Sequence, residues 1–192
     1  MCKWWLAKGL DGFRLDAIKH IYLESELSPE DAAKYNNATD VVTDVSYRDY
    51  WDDEKQMDVH AKNDYSYHKV LNVKFWKEFA WNIKSAYPNC FFVGENFDGW
   101  NERMAPFYEA IDSQFDFSTF YHLNEMPAAS IGTDIKTTLE INKGYRSNHI
   151  NGAFTSNHDI PRMMNHAAAA QFVTGSPHHA EVTQSNLAKA TN

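Results

Sequence analysis

The order of apolar and polar residues changes period several times along this chain, and each change predicts an element boundary. Residues 2–6 carry an apolar stripe at helical spacing and Gly9 follows them, which predicts the last turns of a helix. Residues 12–17 then alternate apolar and polar, the pattern of a strand that turns Arg14 and Asp16 to one face.

A long polar stretch follows. Residues 21–67 lack a regular period, and we interpret them as a long loop excursion after the strand that carries Asp16. Within it, the serine and the acidic residues of Ser28 to Asp31 predict the start of a helix.

The clearest helix of the chain is predicted over 73–87, where apolar residues recur every three or four positions until Pro88 ends the pattern. The continuous apolar run 90–94 comes next and predicts a strand buried on both faces. Glu95 stands directly after this strand.

Helix and strand patterns continue to alternate as far as Asp159. In order, we predict a short helix over 102–110, a short strand over 114–117, a helix over 128–143 and a strand over 152–155. One more helix is predicted to open at 185–190. Strands that alternate with helices favour right-handed parallel βα units. We therefore predict an α/β fold, and no linker divides residues 1–192 into two domains.

Composition narrows the partners that such a fold would take. The chain has 192 residues, 43% of them hydrophobic, which is enough for a core. Its formal net charge of −8 repels a polyanion, so we expect no nucleic-acid partner. No apolar run approaches the roughly 18 residues of a membrane span, and two cysteines predict neither a disulfide framework nor a CxxC metal site. Aromatic residues make up 15%, and their faces suit stacking on sugar rings.

Three carboxylates, Asp16, Glu95 and Asp159, each follow a predicted strand. The carboxyl ends of parallel strands form one face of a βα architecture, so we expect the three to converge there. Two carboxylates flanking a glycosidic bond are the minimum for its hydrolysis, and a third can hold substrate hydroxyls. Taken singly, each has a simpler explanation: an ion pair with Arg14, a helix cap or surface charge, and a local turn.

Their sequence context favours the catalytic explanation. Three segments in matched order resemble the second, third and fourth conserved regions of the α-amylase family of glycoside hydrolases: GFRLDAIKH at 12–20, FVGEN at 92–96 and FTSNHD at 154–159. The resemblance implies a TIM (β/α)8 barrel in which these segments end the fourth, fifth and seventh strands. The chain would then be a partial barrel of strands 4 to 7 with their helices, and 114–117 would be the sixth strand.

The resemblance also implies a reaction. It is that of a retaining hydrolase of starch, maltodextrin or related α-glucosides, which works through a covalent glycosyl-enzyme intermediate. Asp16 resembles the nucleophile, Glu95 the general acid/base and Asp159 the carboxylate that stabilises the transition state. Arg14 would hold Asp16 ionised and oriented. Whether α-1,4 or α-1,6 bonds are cut, and whether water or a sugar accepts the glycosyl unit, stays open.

Substrate contacts and a metal follow from the same resemblance. His158 is similar to the histidine that binds hydroxyls at the cleavage subsite, and Lys19 and His20 match the pair that contacts the sugar on the leaving-group side. A solvated loop is the simpler alternative for that pair. The backbone carbonyl of His20 is implied as a ligand of a structural calcium ion, with no organic cofactor. The family also favours an extracellular or periplasmic location.

The sequence departs from the family pattern as well. A complete barrel takes about 250 residues, and strands one, two, three and eight have no counterpart here. The first conserved region has no counterpart either. Residues Asp40 to Asp44 resemble only its first few positions. We expect the excursion 21–67 to act as a lid or to supply aromatic rings such as Tyr50 and Trp51 to sugar subsites. Two alternatives stay open: an inactive fragment, and a non-catalytic glucan-binding homologue.

We predict that residues 1–192 in isolation are marginally stable and weak or inactive in catalysis, because half a barrel leaves sheet edges and apolar strand faces uncovered. A thermal melt with a dye for exposed apolar surface measures this. We expect a broad transition with strong dye binding. A sharp cooperative transition with little dye binding would contradict the prediction.

Overall fold

The computed structural model describes residues 1–34, 40–125, 128–160 and 162, and in these ranges helices are interspersed with strands, four of which follow one another between residues 41 and 68. The elements in chain order are α1 (Cys2–Leu6), β1 (Gly12–Leu15), α2 (Pro29–Lys34), β2 (Val41–Val42), β3 (Val45–Asp52), β4 (Met57–Asp64), β5 (Tyr67–His68), α3 (Lys69–Lys84), β6 (Phe91–Gly94), α4 (Asn101–Met104), β7 (Ser113–Phe115), α5 (Phe117–Glu125), α6 (Ala128–Tyr145) and β8 (Ile150–Gly152). Short 3-10 turns cover Ile18–His20, Glu24–Glu26 and Ala105–Glu109. Within these ranges, no helix is both long enough and apolar enough to span a bilayer.

The described residues form two compact units. The first contains 1–96 and 109–111, and the second contains 97–108 and the residues from 112 onward. Each unit holds one pair of parallel strands, β1 with β6 in the first and β7 with β8 in the second. Parallel neighbours require a crossover connection, which α3 provides in the first unit and α5 with α6 in the second. The predicted parallel βα units are therefore confirmed.

Strands β1 and β6 pair from Gly12 opposite Phe91 to Leu15 opposite Gly94. Phe92 is fully buried and its ring contacts that of Phe79 on α3, with a centroid distance of 5.5 Å. Phe91, in contrast, is exposed, so the prediction of a strand buried on both faces is wrong. Alternate side chains of a strand point to opposite faces, and in this unit α3 packs on the face that carries Phe92.

Helix α3 confirms the predicted apolar stripe and begins four residues before it. The ring nitrogen Nδ1 of His68 accepts a hydrogen bond from the backbone N–H of Leu71 at 3.3 Å and so caps the first turn. The buried side chains of the helix are those of Leu71, Asn72, Val73, Trp76, Ala80 and Ile83. All but Asn72 are apolar, in agreement with one face directed at the core.

The stretch 21–67 is not irregular, which corrects the sequence-based interpretation. Strands β3 and β4 form an antiparallel hairpin of eight residues on each side, from Val45 opposite Asp64 to Asp52 opposite Met57. We call residues 45–64 the hairpin. The hairpin could not be recognised in the sequence because charged and polar residues stand on both of its faces. The alternation of apolar and polar residues that marks a half-buried strand is therefore absent. The helix predicted to start at Ser28 is confirmed as α2.

In the second unit, the predicted helices are confirmed as α4 with its 3-10 extension and as α6, while the strands lie earlier than expected. Ser113 pairs with Ile150, and the predicted strands 114–117 and 152–155 extend too far. Phe117 instead opens α5, a helix that we did not predict. Its signal is Asp116, whose Oδ1 accepts the backbone N–H of Thr119 at 2.9 Å, as an N-cap does. The helix predicted at 185–190 lies outside the described residues.

Gly12 provides a test of the β1 and β6 pairing. A Cβ at this position would lie 2.0 Å from the backbone oxygen of Phe91, so Gly12→Ala must push the two strands apart. We expect it to lower the free energy of unfolding by about 2 kcal/mol or more. Gly132→Ala is the matched control, because Gly132 lies within α6 and a Cβ there meets nothing within 4 Å. It should stabilise by about 0.5–1 kcal/mol. Equal urea midpoints for the two variants would contradict the pairing.

Candidate active site

The first unit brings Asp16 and Glu95 to the carboxyl ends of neighbouring strands. The backbone ladder continues past both strands: the N–H of Glu95 donates to the oxygen of Leu15 at 2.9 Å, and the N–H of Ile18 donates to the oxygen of Glu95 at 2.9 Å. Ala17, between them, adopts a left-handed conformation with φ of 45°. The chain therefore turns sharply after Asp16 while the backbone on either side stays bonded.

Arg14 connects the two carboxylates. Its Nη1 lies 2.5 Å from Oδ1 of Asp16, and its Nη2 lies 2.9 Å from Oε2 of Glu95. The Asp16 side chain is 72% exposed, whereas that of Glu95 is 8% exposed. One guanidinium thus binds two acidic groups in different environments and offsets the repulsion between them. The contact with Asp16 was predicted from the strand pattern, and the contact with Glu95 was not.

Lys19 and His20 lie in the 3-10 turn that follows Asp16. Lys19 is only 4% exposed, and its Nζ donates to Oδ2 of Asp44 at 2.8 Å. The ring of His20 stacks on that of Tyr65 at a centroid distance of 5.6 Å. Burial, and then the positive charge of Lys19, lower the pKa of His20 from 6.5, with Asp44 partly opposing them. This shift favours the neutral imidazole of His20 at neutral pH. Because Lys19 is buried, the solvated-loop alternative does not describe it.

Asp159 and His158 belong to the second unit and follow β8. The side-chain oxygen of Asn157 accepts the backbone N–H groups of Asp159 at 2.9 Å and of Ile160 at 3.1 Å, which makes a local turn. Nε2 of His158 lies 3.1 Å from Oδ2 of Asp159, and both side chains are exposed. A local turn was the simpler explanation that the sequence offered for Asp159, and the turn is present. The side chains of His158 and Asp159 are nevertheless exposed and could bind a ligand. The convergence of Asp159 with Asp16 and Glu95 stays a prediction.

The calcium ligand implied at the carbonyl of His20 finds no donor set in the described ranges. No group of three or more His, Cys, Asp or Glu side chains there is arranged to hold a metal ion. Calcium binds six to eight oxygen ligands, with carboxylates prominent among them. The carboxylate beside His20 is that of Asp44, and the ammonium of Lys19 already binds it. The described residues therefore do not fit a calcium site by themselves, and we derive no step through the ion.

Sequence reasoning missed three residues that shape the site: Asp44, Asn72 and Trp76. The indole Nε1 of Trp76 donates to the oxygen of Ile18 at 2.7 Å. Asn72 had a signal, because a polar residue on the buried side of an apolar helix implies hydrogen bonds inside the fold. Asp44 had none, since it stands in a polar stretch.

Comparison with known proteins identifies the family to which this chain is similar. The family model of the alpha amylase catalytic domain matches residues 1–184. The chain is 26% identical over 170 residues to Alpha-amylase SusG of Bacteroides thetaiotaomicron, a match that covers 83% of this chain and 18% of that protein. It is 30% identical over 118 residues to Alpha-amylase 3 of Dictyoglomus thermophilum, covering 61% of this chain and 14% of that protein. The chain spans less than a fifth of either relative.

Two solved structures are similar in fold. An alpha-amylase from H. orenii matches with a TM-score of 0.53 at 23% identity, and Eubacterium rectale Amy13B matches with a TM-score of 0.52 at 22% identity. Each match covers 88% of this chain and 28% of the other. Likeness at these identities concerns the fold alone. The predicted fold class, an α/β chain that forms part of an α-amylase-type barrel, is confirmed.

The Arg14 bridge predicts a stability effect. Arg14→Met removes the cation from the nearly buried carboxylate of Glu95, and we expect the free energy of unfolding to fall by about 1–3 kcal/mol. Adding Glu95→Gln should recover part of the loss, because a neutral amide needs no counter-ion. Lys136→Met, which removes an exposed ion pair with Glu140 on α6, is the control and should change little. The free energy of unfolding is measured in urea for the parent chain, the two single variants and the double variant. A loss in Arg14→Met no larger than in the control would contradict the bridge.

Proposed function

Because this chain belongs to the alpha amylase catalytic-domain family, we propose that it carries the reacting carboxylates of a glycoside hydrolase that cleaves α-glucans with retention of configuration. The observation that supports this most directly is the bridge from Arg14 to both Asp16 and Glu95. Retaining hydrolysis needs two carboxyl groups close enough to act on one glycosidic bond. That one guanidinium binds both Asp16 and Glu95 supports their proximity.

In the first step, a carboxylate oxygen of Asp16 attacks the anomeric carbon. The bond from that carbon to the glycosidic oxygen breaks, and Glu95 gives its proton to the leaving oxygen. The product is an ester between Asp16 and the sugar. In the second step, Glu95 takes a proton from water, the water oxygen attacks the anomeric carbon, and Asp16 leaves as a carboxylate. Two inversions at one carbon give net retention.

The two environments suit these two roles. Asp16 is exposed and lies 2.5 Å from the cation of Arg14, which stabilises the ionised form that a nucleophile requires. Glu95 is enclosed and contacts the same cation, which suits the ionised form that takes a proton from water in the second step. For the first step, Glu95 must be protonated when the substrate binds. Paired carboxylates with distinct surroundings are the general arrangement for dividing the roles of nucleophile and acid.

Further roles extend the proposal. Asp159 would stabilise the transition state and His158 would bind hydroxyls of the sugar being cleaved, with His20 on the leaving-group side. Starch, maltodextrins and malto-oligosaccharides are the proposed substrates. SusG and the Dictyoglomus protein, both named as alpha-amylases, support this class. The structural calcium and the extracellular or periplasmic location stay predictions.

A covalent trap tests the nucleophile. Incubation of the chain with 5-fluoro-α-glucosyl fluoride should add one fluoroglucosyl unit, and peptide mass spectrometry should place it on Asp16. Asp16→Asn should give no adduct, whereas Asp53→Asn, an exposed aspartate in the turn of the hairpin, should label as the parent chain does. Glu95→Gln should still label, because fluoride leaves without acid assistance. Its hydrolysis of maltoheptaose should fall by about 10²–10⁴-fold.

The outcomes separate the alternatives. An adduct on another residue, or activity without an adduct, contradicts the role of Asp16. Binding of maltoheptaose with neither adduct nor hydrolysis identifies a glucan-binding homologue. Neither binding nor adduct identifies an inactive chain.

A further inference from the structure

Lys19 is buried where a sugar-binding lysine would need to be accessible. Only 4% of the residue is exposed, its Nζ lies 2.8 Å from Oδ2 of Asp44, and the same Nζ lies 5.5 Å from the ring centre of Tyr67. Tyr67 is itself fully buried. A buried ammonium is tolerated because a carboxylate and an aromatic face both offset its charge. These contacts engage Lys19 within the protein and direct its charge away from solvent.

Asp44 stands at the base of the hairpin, immediately before β3. Its backbone N–H donates to the side-chain oxygen of Ser66 at 3.1 Å, and its backbone oxygen accepts the N–H of Tyr65 at 2.8 Å. Ser66 and Tyr65 directly follow β4, so Asp44 joins the two chain segments where they leave the hairpin. The carboxylate that binds Lys19 is therefore fixed to both sides of the hairpin base.

The other end of this ion pair is equally well held. Asn72 is fully buried, and its Oδ1 accepts the N–H groups of Ile21 at 2.9 Å and of Tyr22 at 3.0 Å, while its Nδ2 donates to the oxygen of His68 at 2.9 Å. Together with the bond from Trp76 to Ile18, this fixes residues 18–22 on helix α3. Lys19 thus projects from a rigid segment that begins two residues after Asp16.

We propose that the Lys19 and Asp44 ion pair is a strut that holds the base of the hairpin against the segment following Asp16, and that both are positioning residues for the glucan site. This assigns to Lys19 a different role from the sugar contact that the resemblance implies. The strut depends on the proposed function only in that the site it positions is taken to bind glucan. His20 also contacts the hairpin base through Tyr65, so it would adopt a fixed orientation only while the strut is intact.

Limited proteolysis tests the strut without requiring turnover. Chymotrypsin cleaves after exposed aromatic residues, and the hairpin carries Tyr47 and Trp51, both more than half exposed. Lys19→Met and Asp44→Asn should each raise the rate of cleavage at these two positions by about tenfold. The double variant should be no faster than either single variant, because both remove the same contact. Lys19→Arg keeps the charge and should restore slow cleavage.

The control is Lys62→Met, which breaks the exposed ion pair with Asp64 on the same hairpin and should leave the cleavage rate unchanged. Maltoheptaose affinity, measured by calorimetry on the same variants, separates a strut from a sugar ligand. A strut predicts equal losses of affinity in Lys19→Met and Asp44→Asn. Weaker binding in Lys19→Met alone, with slow cleavage in both, would overturn the proposal in favour of a direct sugar contact.

Two remaining outcomes are also decisive. If one of these two variants unfolds, a strut requires that the other unfolds too and that Lys19→Arg stays folded; unfolding of only one overturns the proposal. If the parent chain binds no maltoheptaose, the proposed function fails, while the cleavage rates still decide whether the strut exists.

Discussion

The guanidinium of Arg14 is the interaction on which the candidate site depends. It lies on β1, binds the exposed carboxylate of Asp16 two residues later, and reaches Glu95 at the end of the neighbouring strand. Two carboxylates at adjacent strand ends repel each other, and a nearly buried one has little water to offset its charge. A planar cation with several donors satisfies both at once, which a lysine in the same place does not do.

The parallel pairing of β1 with β6 is what makes this contact possible. The register places Leu15 opposite Gly94, so the next residues along each strand emerge at the same edge. Backbone bonds from Glu95 to Leu15 and from Ile18 to Glu95 continue the ladder past the last pair. Helix α3 then fixes the segment after Asp16 through Trp76. The catalytic proposal therefore rests on backbone geometry as well as on side-chain chemistry.

Sequence patterns predicted the elements that carry this geometry and missed those that depend on tertiary contacts. The alternation in 12–17 and the stripe in 73–87 are strong local signals, and both elements are present. The hairpin 45–64 has no apolar face along the sequence, and helix α5 depends on the cap at Asp116. The partial exposure of β6 depends on which of its faces α3 covers. The sequence of β6 is apolar on both faces and so does not indicate this.

The candidate site shows the same division. Residue types and order led to Asp16, Glu95 and Asp159, and the strand pattern led to the contact between Arg14 and Asp16. The contact between Arg14 and Glu95 could not be predicted from the sequence, because it joins residues far apart in the chain. Asp44 was missed for a related reason: an aspartate in a polar stretch looks like a solvated charge until its partner Lys19 is known to be buried.

The anomeric configuration of the first product tests most directly whether this pair of carboxylates performs retaining hydrolysis. Proton NMR of maltoheptaose mixed with the chain distinguishes α and β reducing ends before they interconvert. Retention through an ester on Asp16 predicts that the α-anomer forms first and the β-anomer appears only later. First formation of the β-anomer would contradict it.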